Sequence, residues 1–269
     1  MDGPPKQPVI GAIAIPSTGP AQAAPERVRA PGFPVAPLVE VVFAASFGDG
    51  LDPDQRHSVA AGASVAYPTT RLEKHHGIKF DLDGDEISIG EPETTYRLEG
   101  TDGTELLLVR PDGIATCQLA PYKSWNSLLD RFSRDLMLVW ERHPDKRVSR
   151  LAVRSINRID VPLVNGLANF EDYLALHIQV PSVVPSIGPF QLQLTIPIPE
   201  AKAFATVRSG LTDPAVEDKA SFILDIDLAR VEDIPESPEG VFKVFNELHD
   251  PKNRLYKGFL TPKALEEFE

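Results

Sequence analysis

Apolar and polar positions along this chain follow two periods, and where each holds the elements can be read off. Over residues 148–162, Leu151, Val153, Ser155, Asn157, Ile159 and Val161 fall on one side, and Arg150, Ala152, Arg154, Ile156 and Arg158 on the other. A period of two over that length predicts one long strand, because successive strand side chains point to opposite faces. One face is mostly apolar and the other carries three arginines. Residues 38–47 repeat the pattern, with Val39, Val41, Phe43, Ala45 and Phe47 together and Glu40 opposite, in a β-prone composition. Pro53 opens a short helix to Ala63, which Gly62 weakens. Between residues 78 and 119 five short strands are expected, at 78–82, 86–89, 95–99, 105–110 and 114–119. Asp83-Gly84, Asp102-Gly103 and Asp112-Gly113 punctuate them; such pairs suit hairpin turns that need positive φ.

A period of 3.6 takes over at residues 124–142, where Trp125, Leu128, Leu129, Phe132, Leu136, Val139 and Trp140 line one face. That helix is about 28 Å long at about 1.5 Å per residue, and Pro144 ends it. Met137 and Leu138 widen its apolar stripe, so a second contact, with another subunit, is expected there. Beyond the long strand, Asn169 reads as the cap of a short helix through Phe170, Tyr173 and Leu174. Strands are expected at 190–198, 203–210 and 220–230. Ser237-Pro238 starts a helix with Val241, Phe242, Phe245 and Leu248 on its apolar face, ending at His249 and Asp250 before Pro251. Thr261-Pro262 starts a last short one carrying Leu265 and Phe268.

Strand, short helix, meander and long helix are thus followed by strand, short helix, three strands and helix. The expected fold class is α+β: one or two antiparallel curved sheets, with long helices packed on one face and a duplicated strand–helix–meander–helix half. The halves would span residues 38–145 and 146–269, as two units or one continuous domain, after an N-terminal arm of residues 1–37. The arm holds Pro4, Pro5, Pro16, Pro20, Pro25, Pro31, Pro34 and Pro37 without periodicity, which reads as a disordered or extended segment. Its exception, Val9-Ile10-Gly11-Ala12-Ile13-Ala14-Ile15, is able to add as a strand to a neighbouring edge.

Composition removes several function classes. A chain of 269 residues can bury a core without disulfides or metals. Its net charge of −12 disfavours general binding to phosphate backbones. Cys117 is the only cysteine, so an intramolecular disulfide and a cysteine-rich zinc site are excluded, and its place in a strand suits a small core residue. No apolar run reaches the length of about 18 residues that a membrane helix needs, and no signal-peptide core is evident. A cytoplasmic protein without membrane partners is expected.

The best candidate chemistry pairs the arginine face with two carboxylates. Asp225 and Asp227, two apart on one strand, lie about 7 Å from each other at Cα and are able to hold Mg²⁺ or Mn²⁺, as in phosphoryl transfer. Arg154 and Arg158, with Arg150 and Asn157, are the phosphate-binding candidates, and Glu40 the auxiliary ligand or base. The competing reading makes these charges cross-strand ion pairs that organise a polar sheet face; no nucleophile, glycine-rich loop or base stands nearby in sequence. Residues 81–86 imitate a calcium loop, but Glu86 occupies the glycine position and Pro92 that of the bidentate glutamate, so a hairpin tip is expected. His75-His76 reads as a solvated turn, His249 as a helix-end cap, and Trp125 and Trp140 as core. Gly-x-Ser-x-Gly, Walker and dinucleotide fingerprints are absent.

Taken together, Pro37 to Phe43, Tyr122-Lys123-Ser124-Trp125, Arg150 to Ile159, Leu224-Asp225-Ile226-Asp227 and Leu248-His249 through Thr261 resemble a sporadically distributed family of uncharacterised bacterial and archaeal proteins. The resemblance runs from about Leu38 to the C-terminus and implies relatedness without an assigned activity. It leads one to expect an aromatic residue where Ser155 stands, so a stacking role there falls away. The resulting expectation is a non-enzymatic cytoplasmic interaction or ligand-binding protein without cofactor. It would be a subunit of an oligomer or complex, meeting a protein partner or itself, through the arm among other routes. The alternative is a Mg²⁺- or Mn²⁺-dependent enzyme acting on a nucleotide or phosphate ester through Asp225, Asp227, Arg154 and Arg158.

Overall fold

The two periodicities build one antiparallel sheet. A computed structural model describes residues 37–80, 87–164, 167–176, 190–213 and 218–268. In chain order the elements are β1 (Leu38–Phe47), α1 (Pro53–Ala63), β2 (Thr69–Phe80), β3 (Ile87–Glu99), β4 (Glu105–Arg110), β5 (Gly113–Leu119), α2 (Trp125–Arg142) and β6 (Val148–Val164). There follow β7 (Leu167–Ala168), β8 (Gln191–Ile198), β9 (Ala203–Thr212), β10 (Lys219–Arg230), α3 (Pro238–Gly258) and α4 (Pro262–Phe268). The strands lie in the order β2-β3-β4-β5-β1-β6-β10-β9-β8, with β7 pairing only to the end of β6.

That order shows the duplication. The leading strands of the two halves, β1 and β6, are central neighbours, and each is flanked by the last strand of its own half, β5 and β10. Phe43 pairs with Val153 and Ala45 with Leu151 across the centre, so the apolar faces of both strands coincide. Over that face lie α2 and α3. Ser124 caps α2 by accepting from the Ser127 N–H, and Ser237 caps α3 by accepting from Gly240. The first buries Leu128, Phe132, Leu136 and Val139, the second Val241, Val244, Phe245 and Leu248. They converge on Phe43, whose ring stacks on Phe245 at 4.8 Å and meets Trp125 edge-on at 4.6 Å, while Phe132 and Phe245 lie 4.6 Å apart. Trp125 and Trp140 are only partly buried and border this core.

Asp135 and Arg131 are buried polar groups on the sheet side of α2. Asp135 accepts the Tyr67 hydroxyl at 2.7 Å, the Thr116 hydroxyl at 2.8 Å and the Arg134 guanidinium. Burial pushes its carboxyl above the ordinary value against the pull of Arg134.

Several elements depart from expectation. The meander starts at Thr69 and has four strands where five were expected, because 86–89 and 95–99 belong to one long β3. β2 pairs with it throughout, and Pro92 sits opposite His76 beside a register shift, where a missing N–H is tolerated. His75 and His76 therefore lie in a strand and form no turn. Asn169 bonds Asp172 and caps no backbone N–H; the helix expected there is a single 3-10 turn, Phe170–Asp172. α3 passes through Pro251 and ends only at Gly258, so His249 lies inside it and caps nothing. Packing of the buried Pro251 and of Leu255 and Phe259 against the core outweighs the lost backbone bond. Gly62 does not end α1, and a Cβ there would meet only the movable end of the exposed Arg142 side chain. The expected tip at 81–86 and residues 1–36 of the arm lie outside the described residues. No helix among the described residues is long and apolar enough to cross a membrane.

Phe245→Ala should cost about 3–5 kcal/mol in denaturant unfolding, by removing the ring on which β1, α2 and α3 converge. A loss below about 1 kcal/mol would mean that the helices are not held there.

Candidate functional site

The face of the sheet that no described helix covers, called helix-free below, collects Glu40, Arg150, Arg154, Arg158, Asp225 and Asp227, whereas the uncharged candidate Asn157 points the other way. Strand alternation decides this. Asn157 is buried on the helix side and donates to the Leu224 carbonyl at 3.1 Å, so it does not join the arginines. On the helix-free side, one row across the sheet reads Glu40, Ile156, Asp225, Arg208, Gln193. The next reads Val42, Arg154, Asp227, Thr206, Thr195. A third consists of small residues, Ala115, Ala44, Ala152 and Ala229, ending at Phe204. With Cys117 and Leu106 these alanines form a second buried cluster to which no helix side chain belongs.

Arg154 sits opposite Asp227 yet reaches diagonally to Asp225, giving it two bonds of 2.8 Å from Nε and a terminal nitrogen. Arg208 adds a third at 3.3 Å and is itself held by the Gln193 carbonyl oxygen at 3.0 Å. Asp227 takes Arg150 at 2.9 Å, and Arg158 turns to Asp160 at 3.4 Å. Asp225 is nearly enclosed, its side chain 5 % exposed, whereas Arg154 keeps 43 % of its own in contact with solvent. The outer edges of the guanidiniums are therefore presented while the carboxylates are taken up beneath them. Hydrogen bonding to Asp225 raises the proton affinity of Arg154 further.

Glu40 behaves differently. Burial pushes its carboxyl above the ordinary value, opposed by the Cys117 thiol that donates to it and by Arg154 and Arg97. The same contact, with burial, raises the thiol, so Cys117 is a protected core thiol and no thiolate nucleophile.

The ladder thus brings together Glu40, Arg150, Arg154, Asp225 and Asp227, with Arg158 on the same side. Chemically it offers fixed N–H donors. A divalent ion between Asp225 and Asp227 would have to displace two guanidiniums from Asp225 and one from Asp227. Among the described residues no group of three or more His, Cys, Asp or Glu side chains is placed to hold a metal. Sequence reasoning missed Arg208 and Gln193. Their signal was present, since Phe204, Thr206 and Arg208 alternate with Ala203, Ala205 and Val207, but their partner strand was not.

Two further features lie at α3. Its second half and β8 bound a groove of about 340 Å³ lined by Ile196, Ile198, Pro251, Leu255 and Phe259, with Glu200 and Arg254 paired at its rim. Nearer its middle, the His249 ring lies 4.2 Å from that of Trp125, with Lys252 beside them. No protein-family model and no curated protein matches the chain.

Two outcomes are expected. In a double-mutant cycle Arg154 and Asp225 should couple by about 1–3 kcal/mol, and Asp225→Ala should destabilise more than Asp227→Ala, whose side chain is more open at 19 %; a coupling near zero would make the contact incidental. Because the folded state raises the Glu40 carboxyl, its stabilising share is complete below the ordinary carboxylate range and is lost as pH rises through the raised value. Glu40→Gln should therefore be more stable than the native chain at neutral pH, with the gap closing towards acid. A gap independent of pH would contradict that assignment.

Proposed function

We propose that this chain is a non-enzymatic interaction or ligand-binding protein of the cytoplasm, a subunit of a homo-oligomer or complex, acting from the helix-free face of its sheet. The observation that carries this reading is the mutual satisfaction of the ladder: Asp225 is held by Arg154 and Arg208, and Asp227 by Arg150. Groups committed to each other at rest supply no free base or nucleophile. They do supply a preorganised array of donors beside an apolar strip, and preorganisation lowers the entropy lost on binding. The balance of arginine and carboxylate on this face also argues against a nucleic-acid partner, which needs uncompensated positive charge. Kinship with the sporadically distributed family that the sequence resembles is part of the same proposal.

Sedimentation of the full chain over a wide concentration range tests the reading. Association should appear as concentration rises and weaken in Arg154→Ala, with the folded state of the variant checked by circular dichroism. A chain that stays monomeric throughout would count against it. The rival, a divalent-metal enzyme, is tested by calorimetric titration with Mn²⁺ beside the Asp225→Asn/Asp227→Asn variant. No saturable heat is expected from either; binding present in the native chain and absent from the folded variant would replace this reading with phosphoryl chemistry.

A further inference from the structure

Among the described residues the sheet ends in two strands with a single partner each, β2 beside β3 and β8 beside β9, and the two edges are built differently. β2 carries Arg71, Glu73 and Lys74, with Arg71 and Lys74 exposed, and charges along an edge discourage further pairing. β8 reads Gln-Leu-Gln-Leu-Thr-Ile-Pro-Ile and carries no charge. Its Gln193 and Thr195 side chains lie on the ladder side of the sheet, while Ile196 and Ile198 line the groove beside α3.

Pro197 tells which backbone groups of β8 are open. It stands opposite Phe204 on β9, and without an N–H it cannot form a hydrogen-bonded pair there. Alternation then turns the amides of Thr195, Gln193 and Gln191 away from β9, towards the edge, and those of Leu192, Leu194 and Ile196 towards β9. Open amides along an uncharged strand are a template for one strand more. A residue laid about 4.8 Å from β8 with its side chain on the helix side would extend the apolar surface of Ile196, Leu255 and Phe259, each of which is only partly buried.

We propose that residues 9–15 of the same chain, Val-Ile-Gly-Ala-Ile-Ala-Ile, lie along β8 as an added outer strand. The segment is uncharged and bounded by Pro8 and Pro16, so every position within it has an N–H to give and both flanks lack one. Alternation puts Val9, Ile13 and Ile15 on one face, for the groove, and Ile10, Ala12 and Ala14 on the other, beside Gln193 and Thr195. The tether reaches. The Pro37 carbonyl accepts from the Arg158 N–H at 2.8 Å, and the row from Arg158 runs through Ile223 and Gly210 to Gln191. The position beyond β8 is therefore about 24 Å from the root of the arm, at about 4.8 Å per strand, whereas residues 16–36 span about 65 Å when extended. Such attachment keeps the segment at about millimolar local concentration. The β2 edge is as many strands away from β1, so its charges and not distance decide against it. This inference does not depend on the ladder-face reading.

Amide hydrogen exchange of the full chain, read residue by residue, tests it. The Gln193 and Thr195 amides should be protected as ladder amides are, and Ile13→Asp should speed their exchange by on the order of tenfold or more, whereas Ile13→Val should not. Leu194 and Ile196, whose amides face β9, are references within the same strand and should keep their rates in both variants, which separates release of the arm from loss of the sheet. Gln193 and Thr195 amides that exchange freely in the native chain, or as slowly in Ile13→Asp, would overturn the proposal. An equal rise at Leu194 and Ile196 would do the same, since it marks fraying of β8 itself. So would protection that falls on dilution, which would assign the edge to a second copy of the chain.

Discussion

Antiparallel pairing of β1 with β6 is the constraint on which the rest of this structure depends. It joins the two halves of the sheet and, through its register, sets what each face contains. With Phe43 opposite Val153 and Val42 opposite Arg154, the apolar positions of both strands meet under α2 and α3, and their charged positions meet on the open side. A slip of one residue would turn the arginines into the aromatic core. The cost of burying unpaired guanidiniums beside Phe132 and Phe245 makes such a register untenable, so the hydrophobic pattern and the position of the ladder are one decision.

Both faces hold acids, and they are handled in different ways. Asp135, under α2, is 1 % exposed and is satisfied by a tyrosine, a threonine and an arginine. Asp225 is nearly as enclosed but is held by two arginines whose outer edges reach water. The first arrangement ties α2 to the sheet and to the segment after α1, through Thr116 and Tyr67. The second holds β6, β10 and β9 in register while turning donors outward. Glu40 has a thiol for its hydrogen-bond partner and only longer-range help from arginine, so burial prevails and pushes its carboxyl above the ordinary value.

At the opposite side of the sheet the helices meet around Phe43, and the aromatic cluster extends outward through Trp125 to His249 and Lys252. Continuation of α3 past Pro251 makes this possible. Had the helix stopped before that proline, Lys252 would lie on a loop, and the apolar groove formed with β8 would lose the residues from Pro251 onward that line it. A single override of local propensity by packing thus creates both features of the α3 surface.

The chain's own pattern determined the elements and their faces. Alternation placed three arginines of 148–162 opposite an apolar side, Glu40 of 38–47 opposite Phe43, and Asp225 and Asp227 together on their own strand; Ser124 and Ser237 marked helix starts that hold in the structure. These depend on interactions within a few residues, which is why they are legible locally. Which strands are neighbours was decided only by the tertiary structure. Arg154 reaches Asp225 across 71 positions of sequence, and Arg208 enters from a strand whose order in the sheet no local signal states. The merging of two short strands into β3, the strand state of His75 and His76, the passage of α3 through Pro251 and the single turn after Asn169 follow from pairing and packing with distant residues. Local propensity is worth about 1 kcal/mol or less per residue for all but proline, and burial against a distant partner exceeds it.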